Sequence, residues 1–299
     1  YGGAAASMRA SIMSLVRRFY EPLDITVVEL TASAQIVNGV SVRGASSLND
    51  VSLTLDANEA AVKDNDCYIL VGQMIIGAGN YNPGADGLVG IADLDDLLAR
   101  SNLRDDTAVV TLNGTVWSTE LLAFGIAHEG AHNFGLRHTF GNFPSSAPGI
   151  SSAIHESDVM SYLAGGTFGG FSMFTRYPMV MGDGNTSNNV LSANPTPFDQ
   201  MANDANIGAA PGTTYITGTG ANDIITITRS GALANVTVQA FNDAAYTSSI
   251  TVPFFGGTTY SYSVSLANPL LIDGGARSDR FVIDASLGQQ VLIRGMGGD

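Results

Sequence analysis

An α+β domain followed by an all-β C-terminal domain is the fold class predicted for this 299-residue chain. Three observations predict it. Apolar residues recur at helical spacing over residues 4–20 and again around 118–134, and short β-branched apolar runs lie between them. From about Pro211 the composition turns to Thr, Val, Ile, Gly and Asn in strand-like alternation. The expected division is therefore 1–210 and 211–299. The length suits two domains, and a hydrophobic content of 45% supports real cores.

Taken in order, residues 4–20 read as a helix, because Met8, Ile12, Leu15, Val16 and Phe19 share a face and Pro22 ends it. Residues 25–30 alternate β-branched and polar side chains and read as a strand, as do the shorter runs 40–43 and 51–55. The continuous apolar run 67–71 reads as a central strand, with Cys67 a small buried hydrophobe. A loop rich in Gly, Pro and Asn precedes Leu88, Val89, Gly90, Ile91 and Ala92, a short apolar run with strand character. Residues 93–100 read as a short helix whose aspartates form a solvated face, since their spacing is not that of a calcium loop. Residues 107–112 are a further strand.

Ser118 or Thr119 is placed to cap the next helix, and Leu121, Leu122, Phe124, Ile126 and Ala127 supply its buried sides. Residues 139–156 form a polar connection in which His155 reads as an exposed loop histidine. Residues 163–181 are rich in glycine and aromatics, among them Phe168, Phe171, Phe174 and Tyr177. These either wall an apolar pocket or fill a core. A closing helix fits residues 196–207.

Composition excludes several classes of function. The net charge is −14, the pI is near 4.4 and Lys63 is the sole lysine, so no basic stripe exists to release counterions from nucleic acid or anionic membranes. No apolar run reaches the length that spans a bilayer. A single cysteine leaves no internal disulfide. Tyr1 at the start reads as a processed chain with its signal peptide removed, and the acidic surplus fits a secreted or cell-surface protein.

The chemistry concentrates in one stretch, His128-Glu129-Gly130-Ala131-His132-Asn133-Phe134-Gly135-Leu136-Arg137-His138, which holds three of the four histidines. Residues four apart on a helix share a face, so His128 and His132 can direct two imidazoles at one ion. Glu129 sits one step round, able to reach a water without taking a coordination position. Gly135 can adopt the left-handed conformation that ends a helix and reverses the chain. His138 then closes a three-histidine set with one position left open, the arrangement of a catalytic zinc site rather than a closed structural one. The spacing H-E-x-x-H-x-x-G-x-x-H arises by chance in on the order of one in ten thousand chains of this length.

These residues resemble the metzincin zinc peptidases, and Ser157-Asp158-Val159-Met160-Ser161-Tyr162 adds to the likeness. The resemblance implies a zincin-like α+β catalytic domain over 1–210, with a mixed twisted sheet and an active-site helix. It makes His128, His132 and His138 the zinc ligands and Glu129 the general base. Met160 becomes the residue of a methionine-containing turn, and Tyr162 a further ligand or transition-state stabiliser, as in the serralysin and astacin branches. Thr139 looks instead like the matrixin branch, and Ala131 stands where glycine is usual. By the same likeness, Leu88 to Ala92 match the strand on which an extended protein or peptide substrate lies by strand addition.

In the C-terminal domain, Gly218 to Thr226 and Gly274 to Val282 resemble each other and the calcium-binding glycine-rich repeat of bacterial secreted proteins. Thr219, Ala221 and Arg277 replace its glycines. The resemblance offers Asp223 and Asp279 to calcium if neighbouring turns add oxygens. Otherwise the segment is a sandwich or solenoid whose glycines and aspartates only make turns. The expected function is a secreted zinc endopeptidase. The alternatives are a surface- or matrix-binding protein with a vestigial zinc site, and a zinc hydrolase acting on another bond.

Overall fold

The computed structural model describes residues 3–37, 39–44, 67–72, 90–92, 107–111, 118–136, 138–139, 153, 158–161, 173–178, 181–182, 196–204, 207–252 and 255–294. The protein is mixed α/β with a β-rich C-terminal region. Its contacts divide it into two units, Tyr1–Arg17 with Thr26–Gly135 and Arg18–Ile25 with Leu136–Asp299. The compositional change near Pro211 falls inside the second. No helix among the described residues is long and apolar enough to cross a membrane.

Helix α1 (Gly3–Tyr20) forms where the periodicity predicts it, burying Ile12, Val16, Phe19 and Tyr20 along one stripe. Residues 25–30, expected as a strand, are irregular. The carbonyls of Val27 and Glu29 accept from the side chains of Arg17 and Gln35 rather than from a neighbouring strand. A hairpin follows, β1 (Gln35–Val37) with β2 (Val40–Val42). The strand expected at 51–55 and the helix at 93–100 lie outside the described residues.

Strands β3 (Tyr68–Gly72), β4 (Gly90–Ala92) and β5 (Thr107–Thr111) make a mixed sheet in the order β3-β5-β4. β3 runs parallel to β5, and β4 runs antiparallel to it. Among the described residues β5 lies between β3 and β4. Cys67 lies one residue before β3 and is half-buried rather than buried.

Helix α2 (Thr119–Asn133) leaves β5 and packs back on all three strands. The Ser118 hydroxyl caps it, accepting from Leu121 N at 3.2 Å. Every residue from Leu122 to Asn133 is buried, so this is an interior helix and not an amphipathic surface one. Ala123, Ala127 and Ala131 recur at every fourth position with no exposure.

In the second unit, β6 (His138–Thr139) pairs antiparallel with β7 (Met181–Gly182). Helix α3 (Pro197–Asp204) occupies most of the expected closing helix, and Thr196 Oγ1 accepts from Asp199 N at 3.1 Å at its start. Phe174 and Tyr177 are fully buried, so these two aromatics fill a core. Arg176 stacks over the Phe198 ring at 4.1 Å and donates to Tyr215 O at 2.9 Å, fastening α3 to the β-rich region.

That region coils. β8 (Thr214–Thr219) crosses to β9 (Asn222–Ser230), and the hairpin partner β10 (Leu233–Phe241) and β11 (Tyr260–Ser265) form an excursion. The chain then returns as β12 (Leu270–Gly275), crosses to β13 (Arg280–Ile283) and comes back as β14 (Val291–Arg294). One sheet, β14-β12-β8, is parallel throughout. The other is β11-β10-β9-β13, with β13 parallel to β9. The two look-alike segments therefore stack in register, Thr219 on Gly275 and Ile224 on Arg280.

Glycine is required at this crossing. A Cβ on Gly218 would run into the Gly274 carbonyl oxygen. Arg277 holds a positive φ of 70° where the repeat would have glycine, a conformation that strains an L-residue. The aspartates clamp the turns: Asp223 accepts from Thr219 N at 2.6 Å, and Asp279 accepts from Asp223 N, 56 residues earlier, at 3.0 Å.

Burial pushes the Asp223 carboxyl up to about 7 against the pull of the Thr219 donors. Burial, reinforced by repulsion from Asp223, pushes Asp279 up to about 9. Both folded values exceed the unfolded carboxylate value of about 4. The folded state thus holds protons that the unfolded chain releases, and stability falls as pH rises from about 4 towards 9. Asp279→Asn should flatten this dependence and raise the unfolding midpoint near pH 8, by about 2–4 °C per kcal/mol regained. Thermal denaturation followed by circular dichroism across that range checks it.

Candidate metal centre

Two of the three histidines owe their placement to the interior position of α2. His128 and His132 are buried on consecutive turns with ring centroids 4.8 Å apart, edge to face, and Phe124 lies 5.5 Å from the His128 ring one turn earlier. Asn133, next to His132, donates from Nδ2 to Cys67 Sγ at 3.0 Å, tying the end of the helix to the start of β3. Among the described residues its own Oδ1, buried, has no hydrogen-bond partner.

The helix stops at Phe134, whose N–H donates to Ala131 O, and Gly135 takes φ of 84° with its N–H on His132 O at 2.8 Å. This is the left-handed exit that only glycine makes without strain. Leu136, fully buried, anchors the reversed chain, and His138 follows on β6. The ligating atoms of His128, His132 and His138 all lie within 4.8 Å of one another. Among the described residues this is the only group of three or more His, Cys, Asp or Glu side chains so arranged.

The donor set fits a divalent transition metal. Imidazole nitrogens about 2.0–2.1 Å from a tetrahedral zinc sit roughly 3.3 Å apart, a separation that falls within the 4.8 Å limit found here. Three neutral nitrogens and no thiolate match a site that keeps a position for a further ligand, and hard oxygen-seeking ions such as calcium are poorly served by it.

Glu129 follows His128 and is buried, and desolvation pushes its carboxyl up to about 7. Met160 has no exposure. It is the third residue of a tight turn closed by Ser161 N on Asp158 O at 3.0 Å. Gly90, Ile91 and Ala92 form β4, which pairs on one side with β5. Tyr162, Leu88, Val89 and His155 lie outside the described residues. Asp223 and Asp279 belong to the turns of the C-terminal coil, where their hydrogen bonds go to backbone and hydroxyl donors.

Sequence reasoning passed over one buried group near the third histidine. Asp158, without exposure, accepts from Thr139 Oγ1, Met160 N, Thr175 N and Thr175 Oγ1. Burial lifts its carboxyl to about 6 against the pull of those donors. Its neighbour Met160 drew attention, but the partners Thr139 and Thr175 are distant along the chain, and no local spacing announces them.

Compared with known proteins, the chain matches no family model, no curated protein and no solved structure.

The full chain should bind about one zinc per molecule. His138→Ala should weaken binding by more than the roughly 10- to 100-fold that loss of a supporting contact costs. Competition with a chromogenic chelator measures it, and the metal should leave as acid protonates the imidazoles.

Proposed function

We propose that the protein is a secreted zinc-dependent endopeptidase of the metzincin kind, with a zincin-like catalytic fold. The observation that carries this reading is the convergence of His128, His132 and His138, with the buried Glu129 following His128 on α2. The turn at Met160, in the position where the family carries its methionine, adds support.

Zinc held by the three imidazoles supplies Lewis acidity, which lowers the pKa of water and polarises a carbonyl. Glu129 does the proton work. Its carboxylate takes the proton of the attacking water, holds it, and delivers it to the departing amine nitrogen. Its burial leaves the carboxylate poorly solvated, which favours its taking up that proton. Tyr162 is assigned, from the resemblance, to donate a hydrogen bond to the oxyanion.

A peptide is the favoured substrate because β4 has β5 on one side and no partner on the other among the described residues. An edge of that kind would offer an extended chain antiparallel or parallel ladder bonds. Gly90 at its start gives a backbone that a substrate can approach closely.

Glu129→Ala should lower cleavage of an unfolded protein substrate by at least about 100-fold while zinc stays bound. A peptide-library digest with metal analysis of the same sample measures both. Equal cleavage by the variant and the parent would remove Glu129 from the reaction.

A further inference from the structure

A two-residue strand is a weak support for a metal ligand. β6 is only His138 and Thr139, and its ladder to Met181 and Gly182 is equally short. A ligand must nevertheless be held within about 0.5 Å and 10–20° of its working geometry. Something beyond the ladder has to hold the backbone at 138–139.

The candidate is the Asp158 carboxylate, which gathers three separate pieces of chain. Its Oδ1 accepts from Thr139 Oγ1 at 3.1 Å and from Met160 N at 2.9 Å. Its Oδ2 accepts from Thr175 N at 3.1 Å and Thr175 Oγ1 at 3.0 Å. Thr139, covalently next to His138, is itself fully buried and donates from its N–H to Met160 O at 2.9 Å. Backbone bridges from Thr139 to Ser161 and from Asp158 to Met173 close the assembly.

Each carboxyl oxygen takes one backbone N–H and one threonine hydroxyl. An amide in its place would set an N–H against the Thr175 N–H. Asp273 is a useful contrast. It is also buried and accepts from Tyr215 Oη and Gly275 N, and among the described residues neither partner adjoins a histidine.

We propose that Asp158 is the positioning residue for His138, fixing the third imidazole through the Thr139 hydroxyl while it holds the Met160 turn and Thr175 in place. The inference rests on the metal-site reading above and extends it to a group that touches neither metal nor substrate. Asp158 acts at one remove, so its loss shows first in how tightly the metal is held.

The test uses the full chain and zinc itself, with affinity read by chelator competition and folding by thermal denaturation. Asp158→Asn and Thr139→Val should each weaken zinc binding by roughly 10- to 100-fold. Thr139→Ser, which restores the hydroxyl, should bind as the parent does. Asp273→Asn should move the unfolding midpoint and leave zinc affinity alone. Thr139→Val changes no charge and little volume, so it separates positioning from electrostatics and decides the matter if Asp158→Asn does not fold. Parent-like zinc affinity in Thr139→Val, with or without a lowered midpoint, overturns the proposal. Peptide cleavage followed in the same samples separates the two readings. The expected affinity losses in a parent that cuts nothing would sink the peptidase and keep the positioning role, whereas a parent that binds no zinc would sink both.

Discussion

An α-helix can aim two side chains at one point, but it cannot aim a third that stands six residues further on. After His132 the chain must leave the helix, reverse, and present His138 from a different backbone direction. The left-handed turn at Gly135 makes that reversal, and everything proposed for this protein depends on it. A residue with a Cβ would strain the turn by about 1–2 kcal/mol, and the resulting shift in backbone direction would be felt three residues later at the imidazole. The interior placement of α2 is the companion requirement. With all its residues from Leu122 onward buried, the helix has little freedom to rotate on the sheet, so His128 and His132 keep their heading.

What could be read from the chain was what is local. The H-E-x-x-H spacing, the glycine exit and the Ser118 cap are short-range patterns whose geometry follows from helix periodicity, and the helix lies where they put it. The same holds for α1 and for the hairpin at 35–42. The misreadings are non-local. Residues 25–30 alternate like a strand, but among the described residues no neighbouring strand takes up their backbone groups, and Arg17 and Gln35 satisfy two of the carbonyls. The run at 67–71 does form a strand, but its composition does not say which strands lie beside it. Sheet order is a tertiary property, and composition does not encode it.

The groups that support the histidines were hidden for a related reason. Asn133 reaches back 66 residues to Cys67, and Asp158 joins Thr139 to Thr175 across 19 and 17 residues. None of these pairs has a spacing that marks it. Each joins a ligand-bearing segment to a separate element, which is the role of outer contacts at metal sites generally. The C-terminal coil shows the opposite case. Its two turns were recognisable by their glycines and aspartates although the β10–β11 excursion separates them by 56 residues. Their alikeness survives because each Gly-Asp turn has to fit against the other, so the packing imposes the repetition. The burial of those aspartates, and the proton they come to hold, appears only once the turns are stacked.

Zinc K-edge X-ray absorption on the metal-loaded full chain addresses the convergence of the three imidazoles most directly. The expected first shell is three nitrogens at about 2.0–2.1 Å with imidazole outer-shell scattering, plus one oxygen. A shell with two imidazoles, or one containing sulfur from Cys67, would contradict it, because His138 would then stand outside the site that the Gly135 turn is held to build.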